Sequence, residues 1–444
     1  MLIEPQFRTS VSDQIWSARA RLARMVAFEV ELAATEADIG LIPQAAADAI
    51  RAASLADGLD ASSIFEAARD AGNPAIPFAS AFTAHVTALN KDAGRFVHFG
   101  ATSQDVIDTA HMLALKATRD QVLKDLDRVK SSLTALAQRY AETPIAARTL
   151  LQQATPITFG AKAAHWLLAI RRSYASIDRL IETDLLVQLA GASGTLAVLN
   201  PHGSTVRAGL ARRLGLADPL GNWQTTREPL LAIASALVGA MQSAAKIAGD
   251  IQLLASTEVG ELAEGLRAGG GGSSAMPHKR NPVDSLVPIA AAHIGSGLLA
   301  SLSASGIQEQ ERSPGRWHAE WTILPVVSTL ALASADRLAT LVETLSVDEA
   351  RMRSNLDLLG GLLASEALSS ALAAKLGRAD AKALSGELVA KVRSEGRHLR
   401  DIALSDPRVS SALSLETLTD IFEYRDAIAA AATEAHRIAG LADN

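Results

Sequence analysis

Residues 269–282 read GGGGSSAMPHKRNP and hold the densest group of side chains that could do chemistry. The four glycines give the backbone freedom, whereas Pro277 and Pro282 fix it on either side of a short polar segment. That segment contains His278, Lys279, Arg280 and Asn281. A plain linker would continue in Gly and Ser, and a phosphate loop would need spaced glycines before its lysine and a Ser or Thr after it. The pattern therefore predicts a mobile loop that binds an anion.

A second polar stretch, HFGATSQDVIDTA, covers residues 98–110. Thr102 and Asp105 have the spacing of a capping box, which satisfies free N–H groups at the start of a helix. The same helix start would present backbone N–H groups and a partial positive charge to an anion, beside the hydroxyls of Thr102 and Ser103. Capping and anion binding are compatible, and the residues alone leave both open.

A third stretch, TLLQQATPITFG, covers residues 149–160. Thr155 could cap a helix that has Pro156 in its first position, and this predicts a helix start here. Gln152 and Gln153 are adjacent amides, which could be solvated or could hydrogen-bond a carboxylate or water.

The segment QEQERSPGRWHAEW, residues 308–321, contains Arg312, Arg316, Trp317 and His318. Two arginines near a histidine suit the recognition of carboxylates, and a surface turn with solvated charges is the competing interpretation. The ten histidines of the chain show no HExxH or comparable metal-ligand spacing. We therefore predict no metal site.

The elements that must position these stretches are helices. From Ile107 onward apolar residues recur at helical spacing, and no sustained alternating strand pattern is found. Hydrophobic residues make up 48% of the chain and aromatic residues only 4%, which favours helices packed through Ala, Leu, Ile and Val. We predict an all-α protein with three domains, a central one of long bundled helices and two smaller ones, at 1–105, 106–350 and 351–444.

The composition excludes several classes of protein. A formal net charge of −6 offers no basic surface for nucleic acid, and the lack of cysteine excludes disulfides and thiolate chemistry. The N-terminal residues lack the basic and apolar run of a signal peptide, so we expect a cytoplasmic protein. Residues 285–307 are uncharged and long enough to span a bilayer, yet they are rich in Ser, Gly and Ala and include Pro288 and His293. We predict a buried bundle helix there and no membrane span.

The motifs resemble those of a known family. GGSSAMPHKRNP is similar to the GSSxMPxKxNP loop of the fumarase/aspartase superfamily, and the two stretches at 98–110 and 149–160 resemble its other active-site regions in the right order. Within the superfamily, RFVHFGATSQDVIDTA, GASGTL, ASTEVGE, RMRSNLDLLGGLLASEAL and above all QEQERSPGRWHAEW resemble the bacterial 3-carboxy-cis,cis-muconate cycloisomerases. The resemblance extends over essentially the whole chain.

The resemblance implies a homotetramer with a central core of long helices, in which three subunits contribute to each active site. It also implies a reaction without a cofactor on a small tricarboxylate. A substrate carboxylate would add across a conjugated double bond to close a lactone, which belongs to the β-ketoadipate pathway of aromatic catabolism. A fumarate-releasing lyase such as adenylosuccinate lyase is the alternative. A non-catalytic helical scaffold is a second one, although it would have no need of the intact loop residues.

The same resemblance assigns roles to residues. Ser273 matches the base of the family, Lys279 and Asn281 match the groups that stabilise a dianionic intermediate, and His278 lies among them. Leu150 stands where fumarases and adenylosuccinate lyases usually have a histidine, and Gln153 where some cycloisomerases have one. The second proton-transfer group therefore stays open between His98, His278 and His318. The expected substrate contacts are His98, Thr102, Ser103, Thr149, Gln152, Gln153, Thr155, Ser193, Ser274, Met276, Arg280, Arg312, Arg316, Trp317 and His318.

Overall fold

The computed structural model describes residues 3–55, 58–265, 270–272 and 275–441. Within these ranges the chain forms nineteen α-helices, four short 3-10 helices and two antiparallel strand pairs. The predicted all-α class is confirmed.

The helices and strands follow one another in three groups along the chain. The first group comprises a 3-10 helix (Pro5–Phe7), α1 (Ser10–Trp16), α2 (Ala18–Asp38), α3 (Gln44–Leu55), α4 (Ala61–Ala71), α5 (Ala75–Leu89), a 3-10 helix (Gly94–Phe96) and α6 (Ser103–Arg139). The second comprises β1 (Pro144–Thr149), β2 (Gln152–Thr158), α7 (Phe159–Asp178), α8 (Leu180–Thr183), a 3-10 helix (Ala197–Leu199), α9 (Gly203–Leu214), α10 (Glu228–Leu254), β3 (Leu262–Ala263), α11 (Val283–Ser305) and α12 (Arg316–Glu343). The third comprises β4 (Ser346–Val347), α13 (Glu349–Leu356), a 3-10 helix (Leu362–Ala364), α14 (Ser365–Leu376), α15 (Arg378–Glu395), α16 (Leu399–Ser405), α17 (Pro407–Ala412), α18 (Leu415–Phe422) and α19 (Arg425–Ala439).

Four helices are much longer than the rest: α6, α10, α11 and α12 have 37, 27, 23 and 28 residues. By length and composition alone, α10, α11 and α12 are apolar enough to cross a membrane, with mean hydropathies of 1.5, 1.5 and 1.3. Within this one chain, α12 is mostly buried, whereas α11 leaves more than half of its apolar window uncovered. The uncovered apolar surface of α11 therefore needs another partner, either lipid or protein.

The chain divides into two compact units. Unit one consists of Met1–Leu126, Ser173–Ala245 and Val287–Arg337. Here α2 packs against α3 and α9, and α4 packs against α5. Phe28, Phe78 and Phe82 are fully buried, and the rings of Phe78 and Phe82 stack with centroids 5.8 Å apart. These aromatic side chains, spaced along α2 and α5, build the core of the N-terminal helices.

Unit two consists of Asp127–Arg172, Lys246–Leu286 and Leu338–Asn444. Its core joins the β1–β2 hairpin to the C-terminal helices, and α14 packs against α15. Leu372, Leu388 and Leu399 are fully buried in this cluster. The three-domain division at about residues 105 and 350 is a different partition of the chain, and it stays a prediction.

The stretch TLLQQATPITFG corrects one expectation, because it forms a hairpin and no helix begins at Thr155. Strand β1 pairs with β2, Thr149 faces Gln152, and Pro156 faces Ala146. A two-stranded hairpin consists of edge strands. Proline is tolerated in such strands because the backbone N–H groups that face away from the partner strand form no hydrogen bond between the strands. The helix begins only at Phe159, and its cap is the hydroxyl of Thr158, which accepts from the Ala161 N–H at 3.1 Å.

Candidate active site

Arg312 brings three of the predicted stretches together in unit one. Its guanidinium Nη2 donates to the Thr102 hydroxyl at 3.0 Å, and its Nε donates to Gln104 Oε1 at 3.1 Å. The same Nη2 lies 3.5 Å from the carbonyl oxygen of Ala192, which precedes the exposed Ser193. A cation therefore lies at the N-terminus of α6, where backbone N–H groups already favour an anion. This combination suits a carboxylate ligand.

The predicted capping at this helix start is confirmed for one of its two bonds. Asp105 Oδ2 accepts from the Thr102 N–H at 3.0 Å. The other half of the box is replaced, since the Thr102 hydroxyl accepts from Arg312 and keeps its own proton to donate. Asp105 also accepts from the N–H groups of Ala190 and Gly191, both at 3.0 Å, and so ties the 189–194 loop to the helix. Burial raises the pKa of Asp105 to about 7, against the lowering effect of these three N–H groups.

A buried ion-pair network lies beneath this arrangement. Arg227 donates from Nε and Nη2 to the two oxygens of Glu320, at 3.0 and 2.6 Å, and from Nη1 to Asp108 Oδ2 at 2.8 Å. All three side chains are about 2% exposed or less. Burial raises the pKa of Glu320 to about 7, while the Arg227 guanidinium lowers it. One arginine thus binds two acidic side chains that are almost completely buried.

Gln104 links this network to Arg312, and Trp317 also bonds to it. Gln104 Nε2 donates to Asp108 Oδ2 at 3.2 Å, while its Oε1 accepts from Arg312. The indole N–H of Trp317 donates to Asp108 Oδ1 at 2.9 Å, and the side chain is buried. Trp317 therefore supports Asp108 in this structure, and a direct contact of Trp317 with substrate stays a prediction.

His98 is held by a buried carboxylate. Glu29 Oε2 accepts from the His98 N–H at 2.9 Å, and Glu29 Oε1 lies 2.6 Å from His98 Nδ1. The histidine backbone is left-handed, with φ of 62°. Burial lowers the pKa of His98, but the hydrogen bond and charge of Glu29 and the charge of Asp105 outweigh it, so the pKa is raised above its usual range.

Glu36 lies about two turns beyond Glu29 on the same face of α2, and no such partner contacts it among the described residues. It is fully buried, and neither carboxyl oxygen has a hydrogen-bond donor among the described residues. Burial, assisted by the charge of Glu29, raises the pKa of Glu36 to about 9. Folding therefore takes up a proton at neutral pH, and wild-type stability falls as the pH rises from the unfolded pKa toward about 9.

We expect Glu36→Gln to become progressively more stable than wild type as the pH rises from about 5 to about 8, by up to about 1.4 kcal/mol per pH unit. The reason is that glutamine needs no proton to be buried. Urea unfolding of both proteins at several pH values measures the difference. Glu66→Gln, at an exposed position on α4, is the matched control. A stability difference for Glu36→Gln that does not change with pH would contradict the expectation.

The other predicted residues of unit one stand nearer the surface. Arg316 pairs with Glu309 at 2.7 Å and also contacts the carbonyl oxygen of Ile307. The His318 ring packs against Trp321, with centroids 4.5 Å apart. Ser103 begins α6. The structure leaves the roles of these residues in binding as predictions.

In unit two the third stretch, TLLQQATPITFG, forms the turn and second strand of an exposed hairpin. Thr149, Gln152 and Thr155 are exposed, and the turn residues Leu150 and Leu151 are 96% and 73% exposed with φ of 50° and 65°. The left-handed backbone is unfavourable for residues with a branched side chain, and the exposure of two leucine side chains to water is unfavourable as well.

The base of this hairpin is anchored. Gln153 Nε2 donates to the Asn355 carbonyl oxygen at 2.9 Å, and Arg148 binds both oxygens of the buried Glu261 at 2.9 and 2.7 Å. Asn355 Nδ2 also donates to Glu261 at 2.8 Å. The base of the hairpin is therefore held in place by these hydrogen bonds, while its tip is exposed to solvent.

The signature loop, residues 269–282, is described only in part. Ser273 and Ser274 lie outside the described residues, so their roles stay predictions. The Asn281 N–H donates to the Gly271 carbonyl oxygen at 2.8 Å, which closes the loop on itself. Met276, His278, Lys279 and Arg280 are among its exposed residues. A cavity of about 280 Å³ beside it is lined by Glu264, Lys279, Arg280 and Asn281, among others.

Sequence reasoning missed the charged residues that hold the site. Glu29, Asp108, Arg227 and Glu320 are all buried, and each is a charged residue on or beside a largely apolar helix. That position signals a buried partner, but not which one. In the part of the chain that the structure describes, no three His, Asp or Glu side chains gather as a metal site would require. A reaction without metal or cofactor stays a prediction.

With this geometry in place, comparisons with known proteins give the family. Residues 6–292 match the family model described as Lyase, and residues 361–438 match the one described as Adenylosuccinate lyase C-terminus. The chain belongs to this lyase family. Membership confirms the resemblance to the fumarase/aspartase superfamily and the fold that it implied.

Individual members of the lyase family are similar over nearly the full length. The chain is 40% identical over 422 residues to a 3-carboxy-cis,cis-muconate cycloisomerase of Bradyrhizobium diazoefficiens, covering 95% of this chain and 94% of that one. It is 42% identical over 426 residues to the protein of the same name from Pseudomonas aeruginosa, covering 95% and 93%. The crystal structure of the 3-carboxy-cis,cis-muconate lactonizing enzyme of Pseudomonas putida superposes with a TM-score of 0.90 at 39% identity, covering 98% and 99%.

Proposed function

We propose that this protein converts 3-carboxy-cis,cis-muconate into 4-carboxymuconolactone. The observation that carries the proposal is the identity of about 40% with cycloisomerases over 95% of the chain. The placement of Arg312 at the start of α6 supports it, because a tricarboxylate needs cations beside hydrogen-bond donors. Leu150 supports it as well, since leucine cannot serve as the acid–base group that the superfamily's lyases usually have at that position.

The reaction is an internal addition that needs no second reactant. An oxygen of one substrate carboxylate forms a C–O bond to one carbon of the double bond, and the π electrons move to the neighbouring carbon beside a carboxylate. That carbon then takes a proton, so one C–O and one C–H bond replace the π bond. We assign the proton transfer to Ser273 and the stabilisation of the dianionic intermediate to Lys279 and Asn281. His278 and Arg280 add donors and positive charge beside them.

We further propose that the cytoplasmic protein is a homotetramer whose active sites combine stretches from three subunits. The uncovered apolar surface of α10 and α11 favours protein over lipid as the partner, with Leu253, Leu286 and Ile294 each more than 40% exposed. The strained Leu150–Leu151 tip also suits burial against another copy. Light scattering should give four times 46.4 kDa. Co-expressed Ser273→Ala and His98→Ala subunits should regain activity, because some mixed sites contain neither substitution.

The activity itself is tested by incubating the protein with 3-carboxy-cis,cis-muconate and following its ultraviolet absorbance. The absorbance should fall as the conjugated diene becomes a lactone with one fewer double bond. Adenylosuccinate is the control substrate, with released fumarate as the readout. An unchanged muconate spectrum together with fumarate release would replace the proposal with a lyase, and inactivity on both would favour the scaffold.

A further inference from the structure

We propose that Glu29 is a positioning residue that keeps His98 charged, so that the His98 Nε2–H donates to a carboxylate of the substrate. The proposal deepens the function proposed above and rests on it. It assigns to Glu29 a role that neither motif spacing nor the signature loop indicates, because 69 positions separate the two residues in the sequence.

Glu29 contacts His98 through both of its carboxyl oxygens. Both oxygens of Glu29 are used by His98, one by the backbone N–H at 2.9 Å and the other by Nδ1 at 2.6 Å. The Glu29 side chain is 1% exposed, whereas that of His98 is 22% exposed. Because Nδ1 faces Glu29, the proton there is fixed, and Nε2 on the opposite side of the ring is left for a ligand.

The backbone explains why the histidine stays in place. His98 is left-handed, with φ of 62°, which is unusual for a residue with a side chain. The bond from its N–H to Glu29 holds this conformation. Gly100, with φ of 71°, then turns the chain tightly beneath Leu199, where an added Cβ would lie 2.4 Å from the leucine side chain. His98 lies at the start of this turn, four residues before Thr102, whose hydroxyl accepts a hydrogen bond from Arg312.

The surrounding charges favour the imidazolium. The charged groups near His98 are Glu29 from α2 and Asp105 from α6, while the 189–194 loop contributes only uncharged residues. The cation Arg312 bonds to Thr102 and Gln104, four and six residues after His98 in the sequence. Burial lowers the pKa of His98, but the two carboxylates raise it further than burial lowers it. A charged histidine and Arg312 beside a helix N-terminus form a receptor for carboxylates.

A purely structural tie between α2 and the 98–102 turn is the rival interpretation. The two differ in what Glu29→Gln should do. Glutamine has the same shape and still accepts from the His98 N–H, but it removes the charge that holds the proton on the ring. If Glu29 only ties the two segments together, Glu29→Gln should lower kcat/KM by the same factor at every pH. If Glu29 keeps His98 charged, kcat/KM should fall only in the pH range where His98 of the variant has lost its proton.

The test measures kcat/KM for 3-carboxy-cis,cis-muconate across pH in wild type, Glu29→Gln and Glu36→Gln. We expect the alkaline limb of the Glu29→Gln profile to move about one pH unit lower. Its kcat/KM should be near wild type at the acidic end and about tenfold lower at the alkaline end. Glu36→Gln is the matched control, since Glu36 is also a buried carboxyl of α2 but contacts no histidine within the described residues, and its limb should not move.

A second measurement is independent of the substrate. Diethyl pyrocarbonate reacts with uncharged imidazole, and peptide mass spectrometry reports its rate at His98 as a function of pH. The midpoint of this rate should fall by about one unit in Glu29→Gln. An unchanged midpoint, or a loss of kcat/KM that is uniform in pH, overturns the role of Glu29. Wild-type protein that leaves the muconate unchanged overturns the proposed function, while the modification rate still decides whether Glu29 keeps His98 charged.

Discussion

Replacing Ser273 by alanine is expected to lower kcat by about 10²- to 10⁴-fold, which is the range for loss of a group that transfers a proton in the transition state. The carbon that takes the proton lies beside a carboxylate, so the intermediate before protonation is a dianion of high energy, and a hydroxyl positioned to deliver the proton as the C–O bond forms lowers the barrier to it. Alanine removes only one oxygen atom, and the fold should tolerate it. Steady-state kinetics give the loss, and circular dichroism with light scattering confirms that folding and assembly are intact.

Ser410→Ala is the control for Ser273→Ala, because Ser410 is an exposed serine of α17 whose hydroxyl donates to the Pro407 carbonyl oxygen of the same helix. Its kcat should equal that of wild type. If Ser273→Ala kept a near-normal kcat, Ser273 would not be the proton-transfer group. His98, His278 and His318 would then be examined in its place.

Replacing Arg227 by methionine is expected to destabilise the protein by about 3–5 kcal/mol. Asp108 and Glu320 would lose a cation that bonds to both, while they are only 1% and 2% exposed to water. Arg227 lowers the pKa of Glu320 against the raising effect of burial, so without Arg227 this pKa rises further above its value in the unfolded chain and folding must take up a proton. The variant should therefore be least unstable near about pH 5 and lose stability as the pH rises. Urea unfolding at several pH values measures both effects.

Arg425→Met is the control for Arg227→Met, because Arg425 pairs with Asp420 and Glu423 while it is 59% exposed. An exposed pair of this kind contributes at most about 1 kcal/mol. If Arg227→Met lowered the free energy of unfolding by no more than Arg425→Met does, the view that Arg227 stabilises two buried acidic side chains would be contradicted. Arg227→Met should also weaken substrate binding, because Asp108 holds Gln104 and Gln104 holds Arg312.

Much of the fold follows from local patterns. The helical spacing of apolar residues gives the all-α class, and Thr102 with Asp105 marks the start of α6. The hairpin at residues 144–158 could not be predicted in this way. Thr155 and Pro156 are equally typical of a helix start, and only pairing with Pro144–Thr149 selects the strand. Pairing of this kind depends on contacts between separate segments, which a local pattern does not contain.

The sequence by itself determined the superfamily and singled out candidate reacting residues, since GGSSAMPHKRNP combines glycines, hydroxyls and cations in one short segment. Only the tertiary structure decided which charged side chains pair around the N-terminus of α6. Glu29 meets His98 across 69 positions, Arg312 meets Thr102 across 210, and Arg227 meets Glu320 across 93. The physical reason is that a buried charge must find its counter-charge wherever the fold supplies one, and spacing along the chain does not reveal that partner.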